Sequence, residues 1–151
     1  MSTFHLTYKP FGNSAILIEW PAKIAEDIIG DIVAFEKKII KNSNVLDTVV
    51  AYHSLLIKYT APVANYTSFT LELQQLYTTQ SSQKKEVQQL WQIPVCYHSS
   101  FGLDLEEMAA KKHCTVEDII ALHTGVSYLI YFIGFLPGFL YLGGLHATLH
   151  A

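Results

Sequence analysis

Polar and apolar residues alternate over Phe4-His5-Leu6-Thr7-Tyr8, which predicts a short strand. Pro10-Phe11-Gly12-Asn13 is a turn signal, and Ala15 to Trp20 reads as a second strand. Pro21 then opens a predicted helix. Its Ile24, Ile28, Ile32, Phe35 and Ile39 recur at steps of three or four and so share one face. Lys37, Lys38 and Lys41 suit the negative end of that helix, and Asn42-Ser43-Asn44 ends it. Val45 to Val50 and Leu55 to Tyr59 predict two more strands. A second helix starts at Pro62, with Tyr66, Phe69, Leu73 and Leu76 on one side. The order β-β-α-β-β-α predicts an α+β domain, an antiparallel sheet with two helices on one face.

The polar stretch Thr78 to Lys85 has no apolar period and reads as a linker, which divides the chain into domains 1–84 and 85–151. Beyond it, Val87 to Tyr97 opens a new block. Asp104 with Glu107, and Thr115 with Asp118, have the spacing of helix capping boxes, and Gly125 can end the second helix. Tyr128 to Phe135 reads as a strand. It leads into Gly134-Phe-Leu-Pro-Gly-Phe-Leu-Tyr-Leu-Gly-Gly-Leu145, where four glycines and a proline stand among large apolar residues. Glycine permits positive φ and proline removes a donor, so this backbone is irregular. An irregular backbone among aromatic side chains lines a pocket, meets another surface, or forms a buried corner between strands.

The same run resembles the G-F-x-P-G-F-x-Y-L-x-G-L motif of the family that includes the bacterial B-type 5-oxoprolinase subunit, allophanate hydrolase subunit 1 and the sporulation-kinase inhibitors. Four further blocks are similar and lie in the same order. They are Phe11 to Leu17, with Asn13 where the family usually has Asp; Tyr52 to Ile57; Ile93 to Tyr97 with Phe101 to Glu106; and Ile120 to Thr124 with Tyr128. The resemblance implies that residues 85–151 begin a cyclophilin-like β-barrel domain, and that such family members continue well past this point. The chain is therefore expected to be a truncated form, with a complete first domain and an incomplete second one. An interrupted barrel would expose apolar strand edges, so self-association of the fragment is also expected.

The resemblance further implies an ATP-dependent opening of the lactam of 5-oxo-L-proline to L-glutamate, through a phosphorylated carbonyl that water attacks. ATP with magnesium would act in the assembled complex only. The partners would be a second, related 5-oxoprolinase subunit of the C type and a third subunit. Two alternatives stand beside it, a protein inhibitor of a sensor histidine kinase and a component of allophanate hydrolase.

Composition narrows this further. Half the residues are hydrophobic and 15% are charged, so the chain is globular. A net charge of −3 argues against a nucleic-acid partner. Cys96 and Cys114 lack zinc-ligand spacing, and no secretory signal opens the chain, so a reducing cytoplasm is expected. No arginine occurs, and no Asp, Glu, Lys or Arg follows Asp118. Arginine is the usual clamp for phosphate and carboxylate, so the isolated chain is expected to be inactive. The uncharged stretch from Ile119 is long enough to span a bilayer, but its five glycines, its proline and the absence of lysine or arginine on its C-terminal side argue against that.

His123, at the end of the second short helix, is the candidate catalytic residue. It suits a general base or a donor to a substrate carbonyl, and equally a histidine placed to favour a helix C-terminus. Tyr128, Phe135, Pro137, Gly138, Phe139 and Tyr141 are the candidate substrate-binding wall, with ordinary core as the competing reading. A free amide at Gly138 or Phe139 would suit an oxyanion. His146 and His150 have a helical chelating spacing but no acidic or cysteine neighbour, so no metal is expected. There is no G-x-x-x-x-G-K-[ST] for a phosphate loop and no G-x-S-x-G around Ser54.

Overall fold

The computed structural model describes residues 4–79 and 89–150. The chain divides into two compact units, residues 1–86 and 87–151. Most of the expected linker, from residue 80 on, lies outside the described residues.

The first unit is an antiparallel sheet of four strands, β1 (Thr7–Pro10), β2 (Ala15–Glu19), β3 (Val45–Val50) and β4 (Ser54–Tyr59), in the order β1-β2-β4-β3. Strand β1 starts later than its alternation suggests and includes Pro10, opposite Ile16. Proline is tolerated there because β1 is an edge strand. Ile16 pairs with Ile57 and Ile18 with Leu55, and all four are fully buried. Side chains alternate across a strand, so Trp20 and Tyr59 project from this same face. Helices α1 (Glu26–Ile39) and α2 (Tyr66–Thr78) cover it. Helix α1 contributes Ile28, Ile29, Ile32, Phe35 and Ile39 to the core. Helix α2 reaches Tyr59 with Phe69 and Trp20 with Tyr77.

Helix α1 begins at Glu26, five residues after the proline expected to open it. Lys23 N–H closes a tight turn onto the Pro21 carbonyl at 2.6 Å, and Ile24 is left 56% exposed rather than on the buried face. Glu26 and Asp27 supply the negative charge that a helix start favours. Helix α2 begins at Tyr66, where the Asn65 side chain accepts from Ser68 N–H. One polar network ties the helices to the sheet: Trp20 Nε1 and Tyr77 Oη both donate to Asp31 Oδ2, at 2.7 and 2.6 Å.

Burial pushes the phenols of Tyr8 and Tyr59 up to about 12, with Glu72 adding to the shift at Tyr59. Tyr77 is raised by burial and by Asp31. A folded pKa above the ordinary value of about 10 means that the unfolded chain loses these protons first as pH rises. Their contribution is complete below about pH 10 and disappears toward pH 12. The urea midpoint of the first unit should therefore hold from about pH 8 to 10 and then fall steeply. A midpoint that stays level to pH 12 would contradict buried phenols.

The second unit pairs helices α3 (Leu105–Lys112) and α4 (Val116–Thr124) around Ala109, Ile119 and Leu149. Strands β5 (Leu129–Ile133) and β6 (Leu140–Gly143) follow as an antiparallel hairpin, then a short 3-10 turn at Ala147–Leu149. No closed barrel forms among the described residues. Of the two expected capping boxes one forms. Thr115 and Asp118 cap each other reciprocally, whereas Asp104 adopts a near-helical backbone and its side chain caps nothing.

Candidate functional site

His123 is placed by the C-terminal turn of α4. That helix is fixed at its start by the Thr115–Asp118 box and closed at its end by Gly125, whose N–H donates to the Ala121 carbonyl at 2.8 Å. A Cβ at Gly125 would lie 2.8 Å from that carbonyl oxygen, so any larger residue would force this closing turn to shift. Three residues later Tyr128 folds back, and its hydroxyl donates to the His123 carbonyl at 2.8 Å. This occupies one of the carbonyls that a helix end leaves open.

Tyr97 closes the other side, with its hydroxyl in hydrogen-bond contact with His123 Nδ1. The Tyr97 and Tyr128 rings stand 5.9 and 5.4 Å from the imidazole, centroid to centroid. His123 and both tyrosines are half-buried. Burial raises the Tyr128 phenol above its ordinary range, and the neighbouring Tyr97 adds to that. Nε2 of His123 has no partner among the described residues. The group thus holds an imidazole by one nitrogen and leaves the other for a ligand.

The hairpin forms a second group. Its loop, residues 134–139, contains two tight turns. Leu136 N–H donates to Gly134 O at 2.7 Å around Phe135, whose φ is 60°. Phe139 N–H donates to Leu136 O at 3.0 Å around Pro137-Gly138, with Gly138 at φ 80°. Proline followed by a residue of positive φ marks a type II turn, which glycine suits. A phenylalanine at positive φ is strained, by roughly 1–2 kcal/mol. Phe135, Phe139 and Tyr141 form a chain of edge-on contacts at 6.1 and 5.2 Å, and Tyr141 stacks on Phe132 at 4.2 Å.

These positions test the core reading of the aromatic run. Phe135 is 84% exposed and Phe139 47%, so neither is a core residue of the described unit. The expected free amide cannot be that of Phe139, which the turn consumes; the Gly138 amide has no partner among the described residues. His123 and Tyr128 stand together, and so do Phe135, Phe139 and Tyr141. Pro137 and Gly138 form the exposed tip. His146 and His150 flank a single 3-10 turn, where His146 Nδ1 accepts from Thr148 N–H and His150 Nε2 meets the Leu145 carbonyl. Their spacing therefore does not produce the two-histidine face of an α-helix.

A family model described as carboxyltransferase domain, subdomain C and D, matches residues 6–151. The chain belongs to this family. Within the carboxyltransferase-domain family it is 28% identical to the B-type 5-oxoprolinase subunit of Bacillus subtilis, over 99% of this chain and 67% of that protein. The same identity to the B-type 5-oxoprolinase subunit of Haemophilus influenzae covers 93% of this chain and 65% of that protein. The chain thus spans about two thirds of the length of these curated relatives. The crystal structure of TTHA0988 superposes with a TM-score of 0.72 at 25% identity, over 89% of this chain and 26% of that one. The urea amidolyase of K. lactis shares the fold, with a TM-score of 0.60 at 11% identity over 87% of this chain and 9% of that one.

The described residues of the second unit do not by themselves fit ATP and magnesium. A triphosphate needs cationic clamps and its metal needs carboxylates. In the second unit Lys111 pairs with Glu107 at 2.6 Å and Lys112 donates to the His150 carbonyl. No group of three or more His, Cys, Asp or Glu side chains is placed to hold a metal among the described residues. Nor is any helix among them long and apolar enough to cross a membrane.

Two residues of these groups are absent from the expected site. Tyr97 lies 26 positions before His123, too far for any local pattern to link them, although it closes one of the blocks that resembles the family. Phe132 faces Tyr141 in the hairpin register, which needs the position of β6 to be known.

Proposed function

We propose that this chain forms part of one component of a 5-oxoprolinase-type complex, which opens the lactam of 5-oxo-L-proline to L-glutamate at the expense of ATP. The observation that carries the reading is His123, held at Nδ1 by Tyr97, walled by two tyrosine rings, with Nε2 open. Relatives named as the B-type component of 5-oxoprolinase support it. His123 positions the substrate or accepts a proton from it. Tyr128, Phe135, Pro137, Gly138, Phe139 and Tyr141 supply an apolar wall of a site shared with a partner. ATP and magnesium are held by the partner subunits, a related one of the C type and a third.

The chain alone should show no ATP hydrolysis above background with 5-oxo-L-proline present. The partner subunits alone should show none either, and hydrolysis should appear when all are co-produced. Turnover by the purified chain, or equal turnover by the partners without it, would overturn the reading. Exposure of the strained Phe135 favours a second reading, in which the hairpin docks on a sensor histidine kinase and nothing is catalysed. Kinase inhibition without lactam-dependent hydrolysis would select that one.

A further inference from the structure

His123 has two candidate tasks, accepting a proton and giving a hydrogen bond, and its surroundings separate them. Nδ1 meets the Tyr97 hydroxyl. A neutral imidazole carries one N–H and one bare nitrogen, and a phenol keeps its proton up to about pH 10. Such a pair can bond in two ways. The bare ring nitrogen is far more basic than a phenol oxygen, and the phenol is the more acidic donor. The O–H to N arrangement therefore joins the better donor to the better acceptor. Tyr128 does not compete, since its hydroxyl donates to the His123 backbone carbonyl and only its ring packs against the imidazole.

We propose that Tyr97 is a positioning residue that donates to Nδ1 of His123 and fixes the Nε2–H tautomer. Nε2 then presents an N–H donor to an acceptor oxygen on the ligand. The fitting ligand group is the carbonyl of an amide or lactam, which has lone pairs and no proton to give. In its resting state His123 polarises that carbonyl and cannot serve as its base. The inference rests on the role given to His123 above, while its test does not depend on turnover.

Nitrogen-15 NMR of the histidine-labelled protein at about pH 8 reads the tautomer directly, where a free imidazole is neutral. Among the seven histidines, His123 is assigned by the signals lost in His123→Gln. The expected pattern is an unprotonated, hydrogen-bonded Nδ1 and a protonated Nε2. Tyr97→Phe should shift the Nδ1 resonance away from its hydrogen-bonded position and bring in the second tautomer. Tyr128→Phe should keep the wild-type pattern, because the hydroxyl it loses serves the backbone. A protonated Nδ1 in the wild type, or an Nδ1 resonance unmoved by Tyr97→Phe, would overturn the proposal. Should Tyr97→Phe fail to fold, the wild-type tautomer decides alone. Protonated Nδ1 with an inactive His123→Ala complex removes the tautomer and keeps the functional reading. Protonated Nε2 with a fully active His123→Ala complex does the reverse.

Discussion

Phe35→Ala should lower the stability of the first unit by about 3–5 kcal/mol, the usual range for a buried aromatic cut to alanine. Phe35 is wholly buried on the α1 face that meets the sheet. Its ring packs edge-on against Tyr77 at 5.1 Å and Trp20 at 6.3 Å. Removing it leaves a cavity where α1, α2 and β2 converge. It also loosens the two rings whose polar atoms meet on Asp31, so hydrogen bonds at 2.7 and 2.6 Å lose their support. Phe35→Leu fills most of that space and should cost far less, within about 1.5 kcal/mol where the neighbours repack. Urea unfolding followed by tryptophan fluorescence reads this cleanly in a Trp91→Phe background, since Trp91 is largely exposed and Trp20 buried. A loss below about 1 kcal/mol for Phe35→Ala would contradict a close-packed core at this position.

The first unit is the more legible half of the sequence. Ile16, Ile18, Leu55 and Ile57 carry a period of two, and Ile28, Ile32, Phe35 and Ile39 carry a helical one, because each set has a single wet side. The start of α1 is misread since proline signals a helix start and a turn equally well, and the acidic pair Glu26-Asp27 is the better marker. The Thr115 cap is legible because the capping box is a local contact; Asp104 has the same spacing, but its backbone departs from the extended form a cap needs.

The candidate site is legible only in part. His123 and Tyr128 are five residues apart and joined by one helix end, so a local pattern finds them together. Tyr97 reaches the same imidazole across 26 positions of chain, and no periodicity encodes such a contact. In the hairpin, Pro137-Gly138 announces its turn. The exposure of Phe135 is only half announced, because an aromatic residue in such a run reads as a binding wall and as core alike, and its positive φ follows from no local pattern.

His123→Ala, in the protein co-produced with its partner subunits, should reduce lactam opening by about 10²–10³-fold, the usual effect of deleting one donor to a developing oxyanion. The imidazole is fixed by Tyr97 on one nitrogen and free on the other, so its loss removes a preorganised contact that water does not replace. Stability should change little, since the second core gathers around Ala109, Ile119 and Leu149 and His123 is only half-buried. The decisive measurement is the rate of glutamate formation from 5-oxo-L-proline by the complete complex, wild type beside His123→Ala, with melting curves of both. The expected result is a rate lower by about two orders of magnitude at an unchanged melting temperature. Equal rates, or a loss of rate that merely follows a loss of folded protein, would contradict a role for His123 in the chemistry.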